Sequence, residues 1–418
     1  MKKESVAVVI ISNGPGELTT WVKPVISCLK KIIISTGDSE INYLLRLILV
    51  PCPNATGNEY RVANKWVDLD LVTPANYFWK LLLKPSLFAK WPKKGIVVFL
   101  GGDQFWSVLL GKRLGYEIIT YAEWVARWPR WNFKIAAMNN QVKKKLPMRF
   151  KEKCIVIGDL MNDIKRKKIK EIKIKNKEWI AILPGSKKTK LSIGVPYFLQ
   201  MADYISDNNN NINFIIPLAP TVNIDDYFYY LSDKNPIAKY YSSKIKVINK
   251  LKNSVFDYVL ETNRDSKIYI FTRNPAYEIL NECSLAITTV GANTAELAAI
   301  NLPMIVVLPT QHLSVMNAWD GIYGIIGKVP IINKLITVLI KKWYLKKKQY
   351  FSWPNIKAKK LIVPERIGDI YPEEIGDEVL FLMKNKEYLE DQKQNLSKQR
   401  GEDGAVKKLS QLIINSLR

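Results

Sequence analysis

Four glycine-containing turns carry side chains that could bind or transform a phosphorylated ligand, and each follows a strand-like apolar run. The first turn is Ser12–Glu17. In this turn Gly14 and Gly16 let the backbone approach a ligand closely, and the helix that follows offers its N-terminal NH groups to an anion. Glu17 is a candidate general base, and the alternative is a carboxylate that stabilises the helix N-terminus.

The second turn, Gly101–Phe105, repeats this arrangement after the apolar run 96–100. Asp103 is its candidate catalytic carboxylate, since it faces a ligand at the end of a parallel strand. An aspartate that caps the N-terminus of the following helix is an equally good explanation. The sequence therefore offers Glu17 and Asp103 as alternative catalytic bases.

The third turn, Leu183–Lys188, places a glycine, a hydroxyl and an ammonium group together after a strand. Gly185, Ser186 and Lys187 could form a phosphate-binding turn from these groups. The spacing is not that of a P-loop, so a Walker-type nucleotidase is not supported.

The fourth turn, Thr288–Glu296, runs from a strand through a glycine into a helix. Backbone NH groups around Gly291 and Asn293, with the Thr294 hydroxyl, are predicted to bind diphosphate oxygens. Glu296 lies one helical step further on, where a carboxylate can accept both hydroxyls of a ribose. An ordinary capped helix is the alternative explanation.

The composition limits the class of protein to which these turns belong. The chain has 418 residues, of which 48% are hydrophobic and 24% charged, as in a globular protein of two or three domains. Four cysteines without a CxxC pair and a single histidine, His312, argue against a disulfide framework and a His-based metal site. No cofactor is expected. Without a secretory signal or a long apolar run, the protein is expected to be cytoplasmic.

The net charge of +25 comes mainly from lysine, because only 12 of the 63 basic residues are arginine. Arginine is the residue of bidentate base and phosphate recognition, so this excess argues against sequence-specific nucleic-acid binding. No recognisable nucleic-acid-binding motif is present either. Background codon bias, attraction to an anionic bilayer and attraction to nucleic acid without sequence specificity remain as explanations of the lysine excess.

Two basic stretches are interleaved with large apolar residues, 78–91 and 335–348. Trp, Phe and Leu beside Lys are typical of a segment that lies in the lipid headgroup region. The alternative is a core helix with a solvated basic face. The two segments together predict peripheral contact with the inner face of the cytoplasmic membrane.

Strand-like and helix-like patterns alternate twice along the chain, which predicts an α/β protein with two Rossmann-like, doubly wound domains. The first domain is predicted over residues 1–165 and the second over 179–385, with a basic linker over 166–178. The helical tail, 386–418, is predicted to pack back on the first domain. Two such domains are expected to face a central cleft that binds the ligand.

At these turns the chain resembles the lipid-A-disaccharide synthases, which are inverting glycosyltransferases of the GT-B fold that use UDP-linked sugars. Gly16-Glu17 stands where the family has Gly-Asp, and Leu183–Lys187 is similar to its Leu-Pro-Gly-Ser-Arg. The segment 156–163 resembles its interdomain Gly-His-Pro-Leu-x-Asp. Further matching segments follow in the same order as in the family, at 291–296, 303–307, 354–356, 363–365 and 372–373.

The chain departs from the family at positions that bear on the acceptor. Lys187 replaces the arginine of the phosphate turn, Asp159 replaces the interdomain histidine, and Gly101–Phe105 stands for Asp-x-Pro-Asp-Phe with its carboxylate displaced. Gln311 and Asn317 resemble related peptidoglycan glycosyltransferases that act on lipid-linked acceptors.

The resemblance implies transfer of a sugar of the N-acetylglucosamine type from a UDP-sugar to a lipid-linked acceptor. The donor would be bound by Gly14, Gly16, Gly185, Ser186, Lys187, Gly291, Asn293, Thr294, Glu296 and Gln311. A nucleotide-sugar 2-epimerase of the same architecture is the alternative enzyme. A basic nucleic-acid-binding or nucleotide-binding protein without activity is the alternative outside enzymes.

Overall fold

The computed structural model describes residues 3–37, 40–52, 55–163, 178–311, 350–399 and 401–417. The chain forms two compact units, Met1–Lys165 with Gly401–Arg418, and Arg166–Arg400. Each unit is built on one sheet whose strands are mostly parallel, so the predicted pair of doubly wound α/β domains is confirmed. All of the predicted linker except Glu178 lies outside the described residues.

The first unit contains a seven-stranded parallel sheet in the order β3-β2-β1-β4-β5-β6-β7. Its strands are β1 (Glu4–Ser12), β2 (Ile41–Leu49), β3 (Leu71–Thr73), β4 (Lys94–Phe99), β5 (Glu117–Ala122), β6 (Lys134–Ala137) and β7 (Cys154–Val156). The strand order reverses between β1 and β4. Ligands in open α/β sheets bind outside the carboxyl ends of the strands at such a switch point.

Helices cover both faces of this sheet. They are α1 (Pro15–Glu17), α2 (Lys23–Thr36), α3 (Glu59–Ala63), α4 (Phe78–Leu83), α5 (Phe105–Leu114) and α6 (Asn140–Lys145), and a π-helical turn, Leu18–Val22, joins α1 to α2. Val8 belongs to the same buried core as Leu29 of α2, whereas its neighbour Val9 belongs to the core of Phe78 in α4. Burial on both faces is why β1 is a continuous apolar run.

The second unit contains an eight-stranded sheet in the order β10-β11-β12-β9-β8-β13-β14-β15. Its strands are β8 (Glu178–Leu183), β9 (Ile212–Pro217), β10 (Ile245–Lys250), β11 (Tyr258–Thr262), β12 (Lys267–Phe271), β13 (Leu285–Thr289), β14 (Met304–Pro309) and β15 (Glu365–Gly368). Only the pairs β10–β11 and β11–β12 are antiparallel. The switch point of this sheet lies between β8 and β13.

The helices of the second unit follow the strands in the expected alternation. They are α7 (Lys188–Asn208), α8 (Asp226–Leu231), α9 (Tyr277–Leu280), α10 (Asn293–Ala299), α11 (Trp353–Ala358), α12 (Pro372–Lys384) and α13 (Lys386–Gln399). The 21-residue α7 begins directly at the turn after β8, so its N-terminal NH groups are available there.

The C-terminal tail is divided between the two units, so the prediction that all of 386–418 packs on the first domain is wrong for α13. Gln392 of α13 accepts a hydrogen bond from the backbone NH of Met304 in the second unit, at 2.6 Å. The last helix, α14 (Ala405–Leu417), instead buries Leu409 and Ile413 in the core of the first unit. The break between the two helices falls in the turn before α14, where Gly404 has a left-handed backbone with φ of 104°.

Asp163 holds the beginning of α14 in place. Its carboxylate accepts hydrogen bonds from the backbone NH groups of Gly404 and Val406. Nearby, Gly158 lies so close to α14 that an added Cβ would be 3.3 Å from the Cβ of Ala405. The segment that resembles the family's interdomain motif therefore docks the C-terminal helix.

We expect Asp163→Ala to destabilise the first unit by about 1–2 kcal/mol, because the start of α14 loses the carboxylate that satisfies two NH groups. Thermal and urea unfolding would measure the loss. The stability of Asp163→Asn, which keeps one amide oxygen as an acceptor, should lie between that of the wild type and that of Asp163→Ala. Glu402→Ala, at an exposed neighbouring position, is the matched control. Equal stability of Asp163→Ala and the control would contradict this role.

Candidate functional site

Glu17 lies directly over Gly14 at the carboxyl end of β1. A Cβ added at Gly14 would lie 1.9 Å from the Oε2 atom of Glu17. The backbone of Gly14, with φ of −95° and ψ of 148°, is one that any residue adopts. Glycine is thus needed here for the space that the carboxylate occupies, and not for its conformational freedom.

The turn after β4 lies against the turn after β1. Gly101 and Gly102 have positive φ angles of 150° and 96°. A Cβ at Gly101 would be 2.8 Å from Ser12 Oγ and 3.2 Å from Glu17 Cβ, and one at Gly102 would be 2.8 Å from Asn13 Nδ2. The structure therefore brings the first two predicted turns together at the switch point of the first sheet.

The two candidate bases have different surroundings. Asp103 accepts a hydrogen bond from the backbone NH of Phe105, the first residue of α5, at 2.9 Å, and its other oxygen lies 3.5 Å from Arg127 Nη1. Across the described part of the chain, neither a hydrogen bond nor an ion pair holds the half-buried carboxylate of Glu17. Glu17 is therefore the less constrained of the two carboxylates.

The third and fourth predicted turns meet at the switch point of the second sheet, and Lys190 lies between them. Gly185 has a φ of 107°, and a Cβ there would lie 2.9 Å from the Cβ of Lys190. Gly291 has a φ of 152°, and its added Cβ would lie 3.0 Å from Lys190 Nζ. Ser186 and Lys187, in the same turn as Gly185, are half-buried.

Thr294 fixes the shape of the Gly291 turn. Its hydroxyl donates to the carbonyl oxygen of Gly291 at 2.9 Å and accepts from the backbone NH of Trp353 at 3.0 Å. The side chain is completely buried. Thr294 thus positions the turn on which diphosphate binding was predicted, and the half-buried Asn293 opens α10 beside it.

Glu296 is half-buried in the first turn of α10. The Tyr277 hydroxyl donates a hydrogen bond to its Oε2 atom at 3.4 Å. Burial raises the pKa of Glu296 to about 7, and the hydrogen bond from Tyr277 opposes that rise. A carboxylate in this setting changes its charge near neutral pH, and with it its capacity to accept hydroxyl donors.

Gln311 is bound to the backbone of a neighbouring loop. Its Nε2 atom donates to the carbonyl oxygen of Ile370 at 2.7 Å, and its Oε1 atom accepts from the NH of the same residue at 3.4 Å. Gln311 therefore joins the end of β14 to the loop that precedes α12. His312 and Asn317 lie outside the described residues.

Two residues that the structure places at the turns of the second unit were not predicted from the sequence: Lys190 and Tyr277. Lys190 follows Lys187 by three residues in the first turn of α7, so it lies on the same side of the helix start. That spacing was a usable signal. Tyr277 reaches the site only through the packing of α9, which residue spacing does not reveal. Thr289 lies within the predicted fourth turn, but no role was predicted for it.

No protein-family model matches the chain. Four curated proteins named lipid-A-disaccharide synthase are similar to it in sequence, at 24–27% identity. The one from Sulfurihydrogenibium sp. (strain YO3AOP1) is 27% identical over 243 residues, which are 57% of this chain and 51% of that protein. The chain thus spans about half the length of the curated relatives it matches, or less.

Solved structures share the fold over nearly the whole chain. The UDP-GlcNAc 2-epimerase from Neisseria meningitidis bound to UDP-GlcNAc has a TM-score of 0.53 at 12% identity, covering 98% of this chain and 100% of its own. The glycotransferase of kitacinnamycin has a TM-score of 0.50 at 10% identity, with full coverage of both chains. Together the comparisons confirm the two-domain GT-B fold and show sequence similarity to lipid-A-disaccharide synthases over about half of the chain.

Proposed function

We propose that this protein is a glycosyltransferase that moves a sugar of the N-acetylglucosamine type from a UDP-sugar to a lipid-linked acceptor. The observation that carries the proposal is the meeting of the Gly185 and Gly291 turns at the switch point of the second sheet. This is where doubly wound sheets bind nucleotides. The sequence similarity to lipid-A-disaccharide synthases supports the reaction class.

In the proposed donor site, the diphosphate lies at the N-terminus of α7, and the ribose lies against Glu296. The first NH groups of the 21-residue helix have no partner within the helix and carry its positive dipole. Ser186 and Lys187 add a hydroxyl and an ammonium group in the turn before it. The Glu296 carboxylate accepts hydrogen bonds from the two ribose hydroxyls.

In the proposed reaction, the acceptor hydroxyl oxygen forms a bond to the anomeric carbon of the sugar. The bond from that carbon to the β-phosphate oxygen breaks, and its electron pair leaves with UDP. The acceptor proton passes to Glu17, which acts as the general base. Lysine ammonium groups and the NH groups of α7 stabilise the charge that develops on the diphosphate.

The test of this function is UDP release from UDP-N-acetylglucosamine with and without a lipid-linked sugar acceptor. The proposal expects UDP and the glycosylated lipid to appear in equal amounts, and only when the acceptor is present. Inversion at C2 of the free UDP-sugar, without acceptor, would show the 2-epimerase instead. Absence of both reactions together with binding of UDP-sugar would leave a nucleotide-sugar-binding protein.

An exposed apolar and basic surface around α4 supports the proposal of a lipid-linked acceptor. Phe78 and Leu81 of this helix are buried in the core of the first unit. On its other side Trp79 is 52% exposed and Leu83 is 72% exposed. Exposed lysines lie between these apolar side chains. No helix in the described part of the chain is long and apolar enough to span a bilayer.

We propose that this surface binds peripherally to an anionic membrane. Its apolar groups would lie in the headgroup region, and its lysines would contact lipid phosphates. The surface continues through aromatic contacts to the start of α5, where Trp106 lies 5.4 Å from Trp79 between ring centres. Phe105, beside it, is 40% exposed. The second predicted membrane segment, 335–348, lies outside the described residues.

We expect the double variant Trp79→Ser and Leu83→Ser to bind phosphatidylglycerol-containing vesicles about tenfold more weakly or worse, because two large apolar groups no longer insert. Sedimentation with vesicles would measure the bound fraction. Phe228→Ser, at a 45% exposed position of α8 in the second unit, is the matched control. Unchanged vesicle binding in the double variant would contradict the proposed role of α4 in membrane binding.

A further inference from the structure

Lys190 lies against both glycine turns of the second unit. Its Nζ atom donates a hydrogen bond to the carbonyl oxygen of Val290 at 2.5 Å, one residue before Gly291. Its stem lies against Gly185 and its ammonium group against Gly291, where an added Cβ would be 2.9 Å and 3.0 Å away, respectively. The two glycines therefore leave room for this one side chain.

A buried hydroxyl without a hydrogen-bond partner lies at the same place. Thr289 is 6% exposed, and its Oγ1 atom has no partner among the described residues. That oxygen would lie 3.5 Å from a Cβ at Gly185, so it faces the turn that Lys190 covers. An unsatisfied buried hydroxyl is unfavourable by itself and is explained if a ligand with acceptor oxygens completes the site.

We propose that Lys190 is the cation that binds the diphosphate of the donor, and that its ammonium group leaves the Val290 carbonyl for a phosphate oxygen when the donor arrives. The inference rests on the proposed function for the identity of the ligand. A phosphate oxygen is a stronger acceptor for an ammonium group than a neutral carbonyl, which gives the exchange its direction. Movement of the Lys190 stem also opens the Gly185 turn beside Thr289 to the ligand.

This assignment differs from the one based on sequence, in which Lys187 replaces the arginine of the family's phosphate turn. Lys187 is the N-cap of α7, whereas Lys190 is in its first turn. An added Cβ at Gly185 or at Gly291 would have a Lys190 atom as its nearest neighbour. Lys190 is thus the lysine that contacts both turns. We assign to it the stabilisation of the negative charge that develops on UDP as it leaves.

The test compares Lys190→Gln, Lys187→Gln and Lys188→Gln by calorimetric titration with UDP, inorganic pyrophosphate and uridine. Lys190→Gln keeps a side-chain NH donor and removes the positive charge, so the comparison tests the charge. We expect Lys190→Gln to bind UDP and pyrophosphate about 10- to 100-fold more weakly and uridine unchanged, since uridine has no phosphate. Lys190→Arg should recover most of the affinity.

Lys188→Gln is the matched control, because Lys188 is exposed at the start of the same helix. Unchanged UDP and pyrophosphate affinity in Lys190→Gln, with loss in Lys187→Gln, would overturn the assignment and leave the glycosyltransferase proposal intact. Pyrophosphate binding that depends on Lys190 in a protein that binds no UDP-sugar would support the assignment and refute the glycosyltransferase proposal. Equal loss of uridine affinity would also overturn it, because a structural role predicts that result.

Discussion

Glu17→Gln is expected to lower the rate of sugar transfer by a factor of about 10²–10⁴ while the affinity for UDP stays unchanged. Glutamine has nearly the shape of glutamate but cannot accept the acceptor's proton at neutral pH. Steady-state UDP release with lipid acceptor gives the rate, and calorimetric titration gives the affinity. A loss in rate without a loss in donor affinity is the result that a base predicts.

Gly14→Ala provides an independent test, because it displaces the carboxylate of Glu17 without removing it. The new Cβ would lie 1.9 Å from Oε2, so the end of a flexible side chain must move. The backbone at Gly14 is compatible with alanine, so we expect an unchanged unfolding temperature and a large loss of transfer. Asp103→Asn, which keeps an oxygen that can accept the hydrogen bond from the NH of Phe105, should retain most activity. Full turnover in Glu17→Gln with loss in Asp103→Asn would reverse the assignment of the base.

The sequence predicted the elements of the first unit where the buried pattern is local. The apolar run Val6–Ile11 predicts a strand, and it lies within β1. The helix-length pattern at 105–114 predicts a helix with the bounds observed for α5. The strand is a continuous apolar run because both of its faces are buried, and the helix has an apolar stripe because one of its sides is buried. The turn Ser12–Glu17 could be located for the same reason, since it lies between two such elements.

The antiparallel strands β10 and β11 could not be predicted in this way. The strand β10 lies at the edge of the sheet, and none of its six residues from Ile245 to Lys250 is fully buried. It therefore has no continuous apolar run that would predict a strand. Its place depends on pairing with β11, and β11 in turn pairs with β12. Pairings of this kind leave little trace in local residue patterns.

Individual roles in the candidate donor site were harder to predict than its location. Thr294 and Gln311 are polar residues at the right turns, yet their side chains bond to backbone groups of Gly291 and Ile370. Lys190, after β8, bonds to Val290, after the neighbouring strand β13, although the two residues are 100 positions apart in the sequence. Residue type and spacing identify the turns, but only the packing of β8 beside β13 shows which side chains connect them.

The affinity for UDP-N-acetylglucosamine is expected to be about tenfold higher at pH 8 than at pH 6, because Glu296 must be ionised to accept both ribose hydroxyls. Burial raises the pKa of this carboxyl to about 7, so it is mostly protonated at pH 6 and mostly ionised at pH 8. UDP itself is unsuitable for this measurement, since a terminal phosphate titrates near pH 6. Uridine, which carries the ribose and no phosphate, should show the same dependence.

Variants at the carboxylate and at its partner separate this cause from other titrations. Glu296→Gln should bind more weakly at pH 8 and lose the pH dependence. Tyr277→Phe removes the hydrogen bond that lowers the pKa of Glu296, so the midpoint of binding should move to higher pH. The same raised pKa means that Glu296 contributes less stability to the free protein as the pH rises from about 4.3, its value in an unfolded chain, through 7. Glu296→Gln should therefore unfold at a higher temperature than the wild type at pH 8, whereas a pH dependence that survives in this variant would place the titrating group elsewhere.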